Sequence, residues 1–523
     1  MKKTTSKFFL VVIGAFIFNI IFWKEKIGLN AILFDSFICL STVMLFPYSL
    51  KNNISKWILA GHIITAAMVL VQNTLLSKIS FTVTLLLFVS FSQYLHRSVW
   101  YAAGSSVQNY LWAVPNFSSE LKIRNTKSGN PVRSSKSIRI LLIPISILVV
   151  FAIIYSSANS VFSNMITDIA NAINIWFRHF FDWFSVERIG FFSLGIVVVS
   201  GLVLRNSSTF FSDIDMKKKN DYTRKKAFFN KWKESAWADL LTVITGKSSA
   251  GLLALKSELT MGSISLLLLN ALLLLINIID VKYVWLGFTF HKDANMAAYV
   301  HDGAWLLIFS IVLAMLLLLF FFRGNLNFYK KNKWLRYAAY CWILQNSFLV
   351  LSVFNRDYYY IAHFGLAYKR IGLLFFLAMV LAGLVTVYLK IYYTKTIYFL
   401  LRINAWVGVI LLVLASIINW DETIATYNLA RKSTIPLDVP FLLSLSDKTL
   451  PVLQKNEDVL EKYSSLDEQF YYNGSFHNAI DFFEYRKEDF LLQQRNYTWL
   501  SWNLADALVK KELTGNTHLS SIK

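Results

Sequence analysis

The sequence predicts an all-α protein, a polytopic transmembrane bundle of about 11 spans over residues 1–419 with a small helical tail over residues 420–523. Three observations predict it. The chain of 523 residues is 56% hydrophobic and only 16% charged, with mean hydropathy +0.48, where a soluble domain carries about 25% charged residues. Its apolar residues gather into long runs separated by basic connections, the pattern of a membrane bundle. Proline (7) and glycine (20) are sparse, which favours uninterrupted helices, and the alternating segments of a barrel do not recur.

The spans are expected at 8–23, 27–48, 57–76, 79–95, 140–158, 189–204, 259–280, 305–322, 337–354, 371–393 and 403–419. The opening MKKTTSK and its apolar run resemble a signal peptide, but no small-residue cleavage site precedes Trp23-Lys24, so a retained first helix is expected. The span 27–48 is the weakest, because Asp35 offsets its apolar gain. The stretch 99–115 reads either as a helix on the inner surface or as a re-entrant piece. By contrast LTMGSISLLLLNALLLLINII holds thirteen Leu and Ile residues and should insert despite Asn270 and Asn277.

The net charge of +21 invites a nucleic-acid reading, but its distribution argues against one. Residues 1–419 carry 41 Lys+Arg and 16 Asp+Glu, whereas the tail carries 11 and 15. With a cytoplasmic N-terminus the inner segments hold 31 basic residues and the outer loops 10. That asymmetry orients the chain, and eleven crossings put the tail on the extracytoplasmic side. One loop resists: residues 355–370 place Arg356, Lys369 and Arg370 outside.

NWDETIATYNLAR follows the last span abruptly. Asn419 and Glu422 resemble a capping box, Trp420, Ile424 and Tyr427 share a helix face, and Arg431, Lys432 and Pro436 mark the end. A helix leaving the membrane surface is expected here, with Trp420 and Tyr427 as interfacial anchors. In the tail, Phe476, Ile480 and Phe483 share a predicted face, as do Leu500, Leu504 and Leu508.

INWDETIATYNLAR, the upstream FGLAYKRIGLLFFLAMVLAGLVTVYLKIYY and LDVPFLLSLSDKTLPVL together resemble a family of bacterial multi-pass membrane proteins catalogued as a domain of unknown function and common in Bacteroidota and Firmicutes. The matching positions are Asn419, Asp421, Ile424, Tyr427, Asn428, Leu437, Asp438, Ser446, Asp447 and Pro451, and Trp499, Trp502 and Asn503 extend the likeness. Its clear part covers residues 355–505. The resemblance implies an inner-membrane helical bundle with an appended tail, and no reaction.

Candidate functional residues are polar groups inside the spans: Asp35, His62, Gln72, Asn73, Asn270, Asn277, Gln345 and Asn346. Such groups mark a pathway or hydrogen-bond a neighbouring helix. Lys217, Lys218, Lys219, Arg224, Lys225, Lys226, Lys231 and Lys233, interleaved with aromatics, suit either contact with anionic lipid head groups or a loop that fixes topology. His291, Asp293, His301 and Asp302 offer zinc-type ligands without a recognised spacing, so no metal site is expected there. The stripe from Phe162 to Phe184 reads as a lid or an interfacial helix. TGKSS at 245–249 lacks the first glycine of a phosphate loop. Tail acids Asp467, Glu468, Asp481 and Glu484 read as a solvated surface rather than catalytic carboxylates. Cys39 and Cys341, both in apolar runs, supply no disulfide framework or metal cluster, and no motif calls for a cofactor. The leading expectation is therefore a non-enzymatic membrane protein with transport-like or lipid-handling activity. The alternatives are a sensor or assembly protein binding a partner through its tail, and a membrane enzyme acting on lipid or cell-wall precursors.

Overall fold

A computed structural model describes residues 2–127, 148, 151–152, 155–156, 159, 162–169, 171, 185–222, 252–286, 296–322, 325–329, 332–465, 470–472 and 475–515. Among the described residues the structure is all-α apart from one hairpin of three-residue strands, β1 (Phe470–Tyr472) and β2 (Ser475–His477), paired antiparallel.

Among the described residues seven helices are long and apolar enough to cross a membrane, namely Asn53–Val71, Leu75–Gln93, Val186–Val203, Leu259–Trp285, Lys333–Phe364, Tyr368–Tyr392 and Ile397–Ser416. Three shorter apolar helices, Lys7–Phe22, Leu29–Leu45 and Leu306–Phe321, occupy three more expected spans. The remaining one, 140–158, lies almost entirely outside the described residues.

Several helices start where a polar side chain satisfies an orphan amide. Asn52 accepts from the Ile54 amide, Thr74 from Ser77, Ser185 from Arg188, and Thr396 from Phe399. These caps set the N-termini of α3 (Asn53–Val71), α4 (Leu75–Gln93), α7 (Val186–Val203) and α13 (Ile397–Ser416). With α1 (Lys2–Phe22), α2 (Leu29–Leu45) and the short α5 (Val99–Leu111) and α6 (Ala113–Lys127), the elements up to α7 form a first bundle in which α1 packs on α7 and α3 on α4. Its core holds Val11, Ile38, Val89 and Val199. At thirteen residues α5 is too short to cross; it buries Ala102, Ser105 and Asn109 against its neighbours and exposes Trp100, Val107 and Leu111.

A second bundle joins α9 (Leu252–Asp280, continued by a π turn to Trp285), α10 (Met296–Phe321), α11 (Lys333–Phe364) and α12 (Tyr368–Tyr392) around Ile311, Leu318, Leu349 and Leu384. Helix α13 bridges the two bundles, packing on α12 on one side and on α3, α4 and α5 on the other.

The basic loop 355–370 finds its explanation here. Helix α11 runs ten residues past the expected end, to Phe364. Arg356 is therefore helical and paired with Asp280 of α9. Arg370 donates to the carbonyls of Phe364 and Gly365, and stands over the Tyr360 ring at 4.3 Å. Both arginines are answered by protein groups, whereas Lys369 is exposed.

The tail forms a third core. α14 (Trp420–Ala430), α15 (Val439–Ser444), α16 (Leu450–Gln454), α17 (Glu457–Ser465), α18 (Ala479–Asn496) and α19 (Leu504–Gly515) surround Ile424, Leu442, Leu450, Phe483 and Phe490. Ile371, from α12, belongs to the same core. Two expected tail faces are corrected. Phe476 lies in β2, so it shares no helix with Ile480 and Phe483, because Asn478 caps α18 after it. Leu500 lies in a separate turn, because Asn503 accepts from the Asp506 amide and starts α19 afresh with Leu504 and Leu508.

Between the bundles, α8 (Phe210–Lys217) presents Asp215, which is fully buried. It accepts from the Arg97 amide at 2.7 Å, the Ser98 amide at 3.0 Å and the Tyr398 hydroxyl at 2.5 Å, with His96 Nδ1 at 3.4 Å. His96 Nε2 in turn meets Ser105 Oγ at 2.9 Å. Burial alone raises the Asp215 carboxyl, but the bonds from His96, Tyr398 and the two amides outweigh it and hold it below its ordinary value. A depressed carboxyl stabilises the fold above its unfolded value, about 4, and that contribution is lost as pH falls through the lower folded value. Thermal unfolding of the solubilised protein is therefore expected to lose more stability between about pH 5 and pH 3 in wild type than in Asp215→Asn. Asp215→Ala, which strands two amides and a hydroxyl, is expected to cost about 3 kcal/mol or more at neutral pH.

Candidate functional site: polar clusters inside the bundles

Asp35 lies on α2 and His62 on α3, and the two meet inside the first bundle. His62 Nε2 stands 2.8 Å from Asp35 Oδ1, and His62 is fully buried, its ring lying beside Phe81 and parallel to Phe88. On its other side His62 Nδ1 meets Thr84 Oγ1 of α4 at 2.9 Å. Thr84 also contacts the Ser80 carbonyl and Thr65 Oγ1, each at 2.8 Å, and Thr65 reaches the His62 carbonyl at 2.9 Å. Two hydroxyl protons cannot serve all these contacts. A proton on Nδ1, donated to Thr84, leaves Thr84 free to donate to Ser80. In that tautomer Nε2 turns toward an acidic oxygen at 2.8 Å, so a positive centre must lie between them. A proton shared by Asp35 and His62 would supply it, and apolar surroundings favour that form because the pair then carries no net charge. Cys39, one turn after Asp35 on α2, places its sulfur 3.6 Å from the same Oδ1.

The other expected pathway residues are placed elsewhere. Gln72 and Asn73 are not inside a span: α3 ends at Val71, and Asn73 has φ 49 in the turn to α4. The Asn73 amide nitrogen donates to the carbonyls of Ile27 and Val69, tying that turn to the α1–α2 connection. Asn270, Asn277 and Gln345 form a separate seam between α9 and α11. Gln345 donates to Asn270 at 2.9 Å, Asn270 donates to the Ala338 carbonyl at 3.0 Å, and Asn277 donates to the Gln345 carbonyl at 3.3 Å. Asn346 donates to the Trp342 carbonyl of its own helix. Asp35 and His62 thus form one cluster in the first bundle, and Asn270, Asn277 and Gln345 another in the second, with Gln72, Asn73 and Asn346 in neither.

Lys217, Lys218 and Lys219 are exposed at the end of α8; the backbone carbonyls of Lys218 and Lys219 accept from Arg97 and Thr396. Arg224, Lys225, Lys226, Lys231 and Lys233 lie outside the described residues, as do the TGKSS stretch, most of the 159–188 stripe, and Asp467 and Glu468. So do His291 and Asp293, while His301 and Asp302 fall where side chains are not described. Of the remaining tail acids, Glu484 pairs with Lys487 at 3.2 Å.

The residues of the NWDETIATYNLAR region act on backbone and packing. Asn419 accepts from the Glu422 amide and donates to the Glu422 carboxylate at 3.1 Å, a reciprocal cap. Asp421 accepts from the Tyr368 hydroxyl and the Ser446 amide. Asn428 exchanges two bonds with the Leu366 backbone. Asp438 caps α15, and Asp447 pairs with Arg486 at 2.6 Å. Trp420 and Tyr427 are half-buried, Trp420 donating to the Ala415 carbonyl and Tyr427 accepting from Arg431.

Helices of this length and apolarity, carrying polar groups that bond one another in the interior, define an α-helical membrane protein. The chain belongs to the family described as "domain of unknown function (DUF4153)", whose match covers residues 9–456. That match takes in both bundles and the first part of the tail: it includes Asn419 to Pro451, begins far upstream of residue 355, where the likeness read from the sequence starts, and ends before Trp499, Trp502 and Asn503. No curated protein and no solved structure matches the chain.

Sequence inspection finds Asp35 and His62 but misses Thr84, Cys39, and the His96–Asp215–Tyr398 knot. Ser77, Ser80 and Thr84 recur at helical spacing and are buried, and Asp35 and Cys39 are one turn apart. Those two spacings are the available signals; the knot has none, because its members come from distant segments. Thr84→Val removes the group that holds Nδ1, and unfolding measured in bilayers is expected to show a loss of about 1–2 kcal/mol.

Proposed function

We propose that the protein is a multi-pass component of a bacterial inner membrane, with a cytoplasmic N-terminus and an extracytoplasmic tail, and that its role is transport-like: binding a small cationic or lipid-derived substrate within the first bundle, without enzymatic chemistry. One observation carries this reading: the Asp35–His62 pair buried among apolar helices. Ionisable groups are expensive there, and the same helices could be tied by amides and hydroxyls at lower cost.

The threading is supported by which ends meet. Segments assigned to the outside by charge lie together: Glu25 and Lys26 bond Ser501, and Asn73 bonds Ile27. Segments assigned to the inside also lie together: Arg97 with Asp215 and Lys218, Thr396 with Lys219 and Asn220, and Lys395 with Asp221. The exposed lysines at the end of α8 then face the anionic lipid head groups of the inner leaflet.

A second role is favoured by the tail. The Trp502 carbonyl accepts from the Leu29 amide, at the start of the helix that carries Asp35. A partner that moves the tail would therefore pull on α2, as in a sensor.

Asp35→Leu combined with His62→Leu, which leaves neither partner of the pair stranded, is expected to abolish rescue of a strain lacking the gene while leaving the amount of protein in the membrane unchanged. Full rescue would count against the reading. A phosphatase reporter that works only in the periplasm, fused after Lys523, is expected to be active. A reporter active only in the cytosol would reverse the orientation.

A further inference from the structure

We propose that Asp35, Cys39 and His62 form a binding site for one divalent transition-metal ion of the zinc class. This names the substrate class for the transport-like reading at the same place in the bundle.

Three observations lead to it. The carboxylate oxygen, thiol sulfur and imidazole nitrogen all lie within 4.8 Å of one another. Two come from one face of α2, a turn apart, and the third from the neighbouring α3. Ligand bonds of about 2.0–2.3 Å to a central ion fit such a triangle after the 2.8 Å contact between Nε2 and Oδ1 opens by roughly half an ångström. His62 is also prepared as a ligand. Its Nδ1 meets Thr84 Oγ1, and in the tautomer protonated at Nδ1 its Nε2 lone pair points at Asp35, the usual arrangement of a metal-binding histidine with an orienting partner.

Charge supplies the third argument. A carboxylate and a thiolate with a neutral imidazole carry two negative charges, and a divalent ion cancels them. In apolar surroundings a neutral site is the favoured one. The exchange is balanced: one divalent ion enters as two protons leave, the one shared by Asp35 and His62 and the one on Cys39. No electrons are transferred. Sulfur and imidazole donors select zinc, cobalt or copper over magnesium and calcium, which prefer oxygen ligands. Asp35 keeps a small exposed edge and Cys39 is half-buried, so the site is not sealed.

Cobalt(II) titrated into the full-length protein in nanodiscs provides the test. Expected results are one ion bound per chain, a near-ultraviolet thiolate-to-cobalt band, two protons released per ion in weak buffer, and displacement by zinc but not by magnesium. Cys39→Ser should abolish the band, and the near-isosteric Thr84→Val should weaken binding by about 10–100-fold. Cys341→Ser, which changes the only other cysteine, should leave both unchanged. Each variant is first shown to run as wild type on gel filtration. Absence of stoichiometric binding, or a band that survives Cys39→Ser, would overturn the proposal. The readout is occupancy rather than flux, so a site that binds metal in a protein without transport activity, or the reverse, separates this proposal from the functional reading.

Discussion

Polar side chains among apolar helices have to find their partners inside the protein, and the arrangement of this molecule depends on that constraint. In lipid there is little hydrophobic gain in pressing one apolar helix on another, so packing and interhelical hydrogen bonds decide which helices associate. The cross-ties are explicit here. Asp35, His62 and Thr84 join α2, α3 and α4. Gln345 and Asn270 join α11 and α9. Asn404 donates to Thr386 and joins α13 to α12. Gln93, Asn109 and Tyr94 fasten α5 at the end of α4, and the Gln93 amide reaches on to the Leu202 carbonyl of α7.

At the helix ends, backbone groups take over from side-chain pairs. Lys390 is fully buried and donates to the Phe322 carbonyl just past the C-terminus of α10, where a cation meets the negative end of the helix dipole. Gly365 ends α11 with φ +79, and a side chain there would run into Asn428, which needs that space to bond Leu366. Gly28 similarly leaves room for the Ser501 and Trp502 backbone. The tail is thus fitted to both bundles: it shares a core with α12 and closes on the start of α2.

The bundle was legible because its signals are local. A run of apolar residues is long enough or it is not, and a side chain such as Asn419 caps a helix with partners three residues away. Longer-range matters were less so. Asn73 reads as a span residue until Asn73 itself turns left-handed and ends the helix. Phe476 and Phe483 have helical spacing but sit on either side of a cap. The candidate pathway residues separate between two bundles, and α13, far along in sequence, packs between those bundles. Asp215 gathers partners from positions 96 to 398, and no window of sequence contains them.

The central claim is that Asp35 and His62 satisfy one another in the interior. Equilibrium unfolding in bilayers of wild type, Asp35→Leu, His62→Leu and the double variant tests it most directly. Each single substitution strands a buried partner and is predicted to cost roughly 3–5 kcal/mol, while the double variant, with nothing stranded, is predicted to lose far less than the sum. Single losses that are small, or that simply add in the double variant, would contradict the account.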